Sequence, residues 1–295
     1  MSSSDYLQLA VAGLTMGSVY ALVALGYHVI LQATRAINFA QGDQVVLGGL
    51  VALTLLTGLH LPLGVAILGT LIVGAAIGLL YERLVFRPTY QIGEVATIIA
   101  SIGVSYFLFH GEGVVWGREA KAFPVFSGRE NDVVDFLGAK ILVQSFWSFG
   151  LLAITLVLFY LFFNHTIYGK AIKAASTNAL AAQLVGISPN QMKGYSVALA
   201  SGLAALAGMM IAPFTLAGGA IAPFIGIKGF AGAVVGGLDN PIGVVVGGLI
   251  IGLVESFAAG LLASGYRDPV VFSLLLLMLL IRPSGLFGTE VRRRA

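Results

Sequence analysis

The sequence lacks cysteine and has little charge. None of its 295 residues is cysteine, so disulfides and cysteine metal sites are excluded. Only 10% of the residues are charged, whereas soluble domains carry about 25%. A chain with 58% hydrophobic residues and so few charges cannot cover a water-exposed surface, which excludes a soluble fold. The net charge of +3 gives no indication of nucleic-acid binding.

The sequence also lacks the common catalytic motifs. It has no H-E-x-x-H zinc motif, no G-x-S-x-G nucleophile motif and no G-x-x-x-x-G-K-[ST] phosphate-binding loop. The chain is therefore not expected to be an enzyme, or to bind ATP or another cofactor by itself. Its four histidines fall near predicted helix ends, where amphipathic side chains are common, and predict no metal site.

Long apolar runs and glycine are what the sequence does contain. A membrane-spanning helix needs about 20 apolar residues. The 39 glycines exceed the usual share of about 7%, and small residues let membrane helices approach closely. The sequence predicts an all-α, polytopic transmembrane bundle of about 8 to 10 segments, which forms one domain over residues 1–295 in the lipid bilayer.

Seven runs predict clean spans, and two further runs are broken by glycine and proline. The broken runs cover 44–59 and 212–238, and each is either a crossing or a re-entrant piece. The predicted spans are 6–31, 63–80, 95–109, 141–163, 195–211, 242–262 and 269–281.

Lysine and arginine predict the orientation, because basic loops stay in the cytoplasm. The loop at 164–193 has Lys170, Lys173 and Lys193 without an acid. The loop at 81–93 and the tail after residue 281 are also basic. These three segments are expected inside, and the acidic-leaning loop at 111–140 is expected outside.

Two polar breaks resemble each other and suggest a transport path. Residues 37–42 and 227–232 each form a polar break before a short Gly-rich apolar piece. Paired interruptions in two halves of a transporter often lie at the substrate site. The path candidates are Asn38, Phe39, Gly42, Phe230 and Gly232. Close helix packing through glycine is an equally good explanation of each glycine.

One acid falls inside a predicted span. Glu255 lies in the sequence Gly-Leu-Val-Glu-Ser of the eighth segment. Acids in this position serve as ion sites in ion-coupled carriers. Alternatively, Glu255 holds a structural contact with Ser256 or with a partner chain.

Residues 168–188 predict a short, Ala-rich cytoplasmic helix between two spans. Leu180, Leu184 and Ile187 share one face by their spacing. Small side chains allow another protein to dock closely. The alternative is an interfacial helix that lies on the membrane.

Motifs along nearly the whole chain resemble the branched-chain amino acid ABC transporter permease subunits. Gln41 departs from the pattern, since this family usually has histidine there, which leaves the substrate open. The motifs that carry the resemblance are 13–22, 37–43, 82–88, 169–189, 228–243 and 282–288.

The resemblance implies a multi-pass subunit of the bacterial inner membrane. It implies a second homologous permease subunit, two cytoplasmic ATPase subunits that use ATP and Mg²⁺, and a periplasmic solute-binding protein. The helix at 168–188 would couple to an ATPase, and the loop at 111–140 would lie in the periplasm. The implied coupling residues are Gly169, Lys170, Ala174, Ala175, Asn178, Ala182, Leu184 and Gly186.

The substrate class implied is branched-chain or other hydrophobic amino acids. Relatives of this kind also import urea, short amides or aromatic acids. A rival hypothesis is an ion-coupled secondary transporter that acts alone and uses Glu255. A third, a non-transporting scaffold, explains neither the paired breaks nor the cytoplasmic helix.

Overall fold

The computed structural model describes residues 3–129, 132–136, 138–218 and 221–288, which form a helical bundle with one small β-hairpin. Of the predicted basic tail after residue 281, the part at 289–295 lies outside the described residues. The predicted all-α fold class is confirmed. In chain order the elements are α1 Ser3–Thr34, α2 Gln41–Leu53, α3 Leu63–Tyr81, α4 Arg87–Thr89, α5 Glu94–Val115, β1 Val133–Phe136, β2 Ala139–Leu142, α6 Val143–His165, α7 Ile167–Thr177, α8 Ala179–Leu184, α9 Pro189–Thr215, α10 Ala222–Gly236, α11 Pro241–Leu261 and α12 Arg267–Ile281.

Seven helices in the described part of the chain are long and apolar enough to cross a membrane. They are α1, α3 with its continuation to Thr89, α5, α6, α9, α11, and α12 with the turn before it. The remaining two segments, α2 and α10, have 13 and 15 residues and match the two predicted broken runs.

The central helices pack through small residues. All 13 residues of α2 are buried, and α2 lies against α9, where a side chain on Gly48 would collide with the backbone of Ala205. The helix α3 contacts α9 in the same way through Gly74 and Gly78. The outer helices α5, α6 and α12 bury few residues and present apolar side chains outward, as a lipid-facing surface requires.

Three predicted boundaries are wrong. The helix α5 continues to Val115, so the first residues of the predicted loop at 111–140 are helical, because Glu112 turns to the buried side of the helix. The helix α9 continues through Pro213 to Thr215, although the proline has no backbone N–H to donate within the helix. The predicted loop at 81–93 is largely helical, with a π-helical turn at Glu82–Phe86 before α4.

The rest of the loop at 111–140 is partly ordered by β-structure. Strands β1 and β2 pair antiparallel, with Val133 opposite Leu142 and a turn that contains Gly138 at a φ of 83°. Lys121 and Ala217 exchange two backbone hydrogen bonds of 2.8 Å. This bridge joins the segment after α5 to the segment after α9.

Candidate functional site

The two broken segments meet at the start of their short helices. The chain leaves α1 at Thr34 and begins α2 at Gln41, and it leaves α9 at Thr215 and begins α10 at Ala222. A Cβ atom on Gly42 would lie 2.2 Å from the carbonyl oxygen of Ala222 and 3.1 Å from Cα of Gly226. Position 42 must therefore be glycine for the two helix starts to touch.

A cavity of about 230 Å³, called here the central cavity, lies beside this contact. Its wall comes from α1, the break before α2, α2, α5 and α10. The rings of Tyr27 and Phe230 meet edge to face at 5.5 Å. Side chains that line the cavity include Tyr27, Phe39, Asp43, Ser105, Pro223 and Phe230.

The predicted path residues take different positions around the central cavity. Phe39 and Phe230, one from each broken segment, both line it. Asn38 is buried behind it, where its side chain accepts a hydrogen bond of 3.0 Å from the backbone N–H of Ala40. Gly42 holds the two helix starts together, and Gly232 packs against Gly248 of α11. The structure brings the two aromatic rings together, and their part in transport stays a prediction.

A buried polar network lies around the break before α2. The hydroxyl of Tyr81 accepts a hydrogen bond of 2.5 Å from Gln44 Nε2 and lies 2.8 Å from Ser201 Oγ. Gln41, where the family usually has histidine, is fully buried and donates to the carbonyl oxygen of Ala200 at 3.3 Å. Gln41 therefore supports the helix start and does not line the central cavity.

Glu255 is part of a buried ion cluster, formed with Tyr20, Lys228 and Asp268. Lys228 Nζ lies 2.8 Å from Glu255 Oε1 and 2.7 Å from Asp268 Oδ1. The hydroxyl of Tyr20 donates to Glu255 Oε2 at 2.6 Å. Ser256 instead donates to the carbonyl oxygen of Leu9. The cluster joins α1, α10, α11 and α12.

The predicted single helix at 168–188 is two helices, α7 and α8. Thr166 caps α7 by accepting a hydrogen bond of 3.0 Å from the N–H of Gly169, and Asn178 caps α8 by accepting one of 3.0 Å from Ala181. Asparagine prefers the cap position because its side chain replaces a backbone acceptor. The break at Asn178 turns α8 away from the axis of α7.

The predicted coupling residues divide between an inner and an outer face. Gly169 and Ala182 are buried, and a Cβ on Gly169 would lie 2.2 Å from the carbonyl oxygen of Phe162. Ala175 is half-buried against the membrane helices. Lys170, Ala174, Asn178, Leu184 and Gly186 are exposed, and Gly186 has a φ of 84°.

An apolar patch stands out on α8. Leu180 is 75% exposed, Leu184 is 90% exposed and Val185, which follows the helix, is 74% exposed. We call these three residues the α8 patch. The predicted coupling residues include Leu184 and omit Leu180 and Val185, although the leucine spacing places Leu180 on the same face.

Replacing Asn178 with alanine is expected to fray α8. The substitution removes the cap and costs about 1 kcal/mol of local helix stability. Hydrogen exchange of the backbone amides at 179–184 should become faster, while exchange in α7 stays as in the wild type. Aspartate at the same position keeps a capping oxygen and should preserve the slow exchange. Equal exchange in the alanine variant and the wild type would contradict the assigned cap.

This architecture defines a class of protein. A helical membrane bundle in which two interrupted helices meet beside a cavity is the arrangement of a membrane transport component. Within the described residues, no three side chains of histidine, aspartate or glutamate come together as metal ligands.

Comparison with known proteins gives the family. The family model described as the permease component of the branched-chain amino acid transport system matches residues 9–282. The chain belongs to this family, which confirms the resemblance found in its motifs. It is a multi-pass permease of the inner membrane.

The curated relatives include permeases of two transport systems. The high-affinity branched-chain amino acid transport system permease protein BraD of Pseudomonas aeruginosa is 33% identical over 96% of both chains. The corresponding protein LivH of Escherichia coli K12 is 29% identical over 96% of both chains. The ribose import permease protein RbsC of the same strain is 27% identical over 88% of this chain and 81% of its own.

Proposed function

We propose that this chain is the transmembrane permease subunit of an ATP-driven importer for branched-chain or other hydrophobic amino acids. Family membership over residues 9–282 is the observation that carries the proposal. A periplasmic binding protein delivers the amino acid, and a second homologous permease subunit completes the path. Two cytoplasmic ATPase subunits supply the energy from ATP and Mg²⁺. Urea, short amides and aromatic acids are the alternative substrates.

The α8 patch is the proposed contact with an ATPase subunit. Lys170, Lys173 and Lys193 surround α7 and α8 without an acid between them, which supports a cytoplasmic position. An exposed apolar group on a water-facing element marks an interaction site. This chain has no phosphate-binding loop, so an ATP-driven importer needs such a partner.

The loop at 111–140 is proposed to lie in the periplasm and to contact the binding protein. Its mixed charges suit a transient polar contact. The hairpin of β1 and β2 and the backbone bridge from Lys121 to Ala217 support the proposal, because they give this loop regular structure that a partner protein could contact.

The ion-coupled carrier is not favoured by the position of Glu255. Its two carboxylate oxygens already accept hydrogen bonds from Lys228 and Tyr20. A site that exchanges ions needs oxygens that become free during the cycle, and this cluster instead ties four helices together.

Purification in mild detergent from the native membrane tests the proposal. Mass spectrometry of the particle is expected to find an ATPase with a phosphate-binding loop and a second permease. Reconstituted particles should take up leucine with ATP and the binding protein. A lone chain or homodimer that takes up solute with an ion gradient and without ATP would overturn the proposal.

Replacing Leu184 with glutamate is expected to weaken the attachment of the ATPase subunit and thereby to lower uptake. Loss of a hot-spot residue at the centre of an interface costs about 2 kcal/mol or more, which is roughly a thirtyfold change in affinity. Leucine uptake by the reconstituted complex should fall at least tenfold, with less ATPase subunit retained on the particle.

The matched control is Asn190→Glu. Asn190 is exposed at the start of α9 and lies outside the α8 patch. The same charge there should leave uptake and ATPase retention near the wild-type values. Normal coupled uptake in the Leu184 variant, or equal loss in both variants, would argue against docking at the α8 patch.

A further inference from the structure

Asp43 places a carboxylate in the wall of the central cavity. Its side chain is 5% exposed and lies in the first turn of α2, where the helix dipole favours negative charge. Among the described residues that line the cavity, Asp43 carries the one formal charge. It forms no ion pair within the described part of the chain. An acid in a membrane bundle without a basic partner is costly, and such groups mark functional sites.

Ser105 of α5 holds this carboxylate in place. The serine hydroxyl donates a hydrogen bond to Asp43 Oδ2. An ionised carboxylate has about four acceptor positions, so this bond leaves room for a further donor. The arrangement is that of an acceptor held ready for a ligand with several N–H groups.

The same cavity contains the positive end of a helix. Ala222 and Pro223, in the first turn of α10, line it. The cap residue Ile221 has no side-chain oxygen, and Pro223 has no N–H, so Ala222 is the lining residue of that turn whose backbone N–H can donate. Helix starts of this kind bind carboxylate and phosphate groups, and in transporters they face the anionic group of the substrate.

The remaining wall is apolar and aromatic. Tyr27, Phe39 and Phe230 contribute rings, and Phe39 is 50% exposed at the rim. The volume of about 230 Å³ is smaller than the 300 Å³ or more that drug-sized ligands need. It suits a solute with one small aliphatic side chain.

We propose that Asp43 binds the ammonium group of a zwitterionic amino acid during its passage through the central cavity. Ser105 orients the carboxylate, the first turn of α10 faces the carboxylate of the amino acid, and the aromatic rings contact its side chain. This assignment rests on the proposed function and adds a substrate-binding residue within the permease itself.

Asp43→Asn is the central test. The amide keeps the size of the side chain and an oxygen that accepts from Ser105, and it removes the charge that attracts the ammonium group. Leucine uptake by the complete reconstituted importer is expected to fall at least about tenfold. The amounts of each subunit on the particle and its basal ATP hydrolysis should stay as in the wild type. A merely structural Asp43 would instead lower assembly and basal hydrolysis together with uptake.

Glu112→Gln is the matched control. Glu112 is also buried in the bundle, and within the described residues neither carboxylate oxygen has a hydrogen-bond partner. It lies on α5 as Ser105 does, and it does not line the central cavity. Glu112 is close enough to Asp43 for the two groups to interact electrostatically, and Glu112→Gln keeps the Asp43 carboxylate in the cavity, so leucine uptake should stay near the wild-type rate. Equal uptake in the Asp43 variant and the wild type, or an equal loss in the two variants, would overturn the assignment.

A binding measurement tests whether binding requires the ammonium group of the solute. Millimolar leucine should raise the melting temperature of the purified complex without its binding protein, whereas 4-methylpentanoate, which has the same chain and carboxylate without the amine, should not. The Asp43→Asn complex should respond to neither. A wild-type complex that takes up no leucine at all would overturn the proposed function. Leucine uptake and stabilisation that survive in the Asp43 variant would overturn the Asp43 assignment alone.

Discussion

Replacing Lys228 with methionine is expected to lower the free energy of unfolding by about 3 to 5 kcal/mol. The substitution leaves the buried Glu255 and the half-exposed Asp268 facing each other without the cation between them, since Lys228 lies 2.8 Å from one and 2.7 Å from the other. Removing one partner of a buried ion pair leaves an uncompensated charge, which costs more than the pair itself contributes. Thermal unfolding in detergent and the amount of folded protein in the membrane measure the effect.

Variants at Glu255 test whether the loss of stability in Lys228→Met comes from the broken ion pair. Glu255→Gln should cost less than Lys228→Met, because Lys228 keeps its contact with Asp268 and the amide still accepts from Tyr20. The double variant Lys228→Met with Glu255→Met removes both charges and should recover part of the lost stability. Additive losses in the double variant, or a Lys228→Met protein as stable as the wild type, would contradict a coupled pair.

The sequence alone identified the buried acid and could not identify its partner. Glu255 stands out within a predicted span, whereas Lys228 lies 27 residues earlier in a segment whose pattern predicts a Gly-rich break. The two meet because α10 and α11 pack antiparallel at Gly232 and Gly248. The relative rotation of two apolar helices leaves no trace in a single sequence, so the pairing needed the structure.

The two breaks were predicted, and the cavity between them was not. The repeated polar breaks indicate a path, and they contain Phe39 and Phe230. Asp43 ends the first break and follows Gly42 directly, so an acid beside a required glycine was the available signal. Its importance depends on Ser105, which is 62 residues away and carries no pattern of its own.

Replacing Gly252 with valine is expected to prevent the normal packing of α1 against α11. Gly13 and Gly17 on α1 face Gly248 and Gly252 on α11, and these small residues let the two backbones touch. A Cβ on Gly252 would lie 2.3 Å from the carbonyl oxygen of Gly13 and 2.4 Å from Cα of Gly17. Overpacking against side chains costs about 1 to 3 kcal/mol, and backbone yields less, so the cost here exceeds that range.

The measurement is the amount of folded, protease-resistant protein in the membrane, and it should fall at least tenfold for the Gly252 variant. Gly150→Val is the matched control, because Gly150 lies within α6 and a Cβ there would have no neighbour within 4 Å. Both substitutions make the same change in helix propensity and volume within a membrane helix, so their difference isolates the contact between α1 and α11. A Gly252 variant that accumulates as well as the Gly150 variant would show that the two helices separate without loss of the fold, and the close approach would then not be what holds the centre of the bundle together.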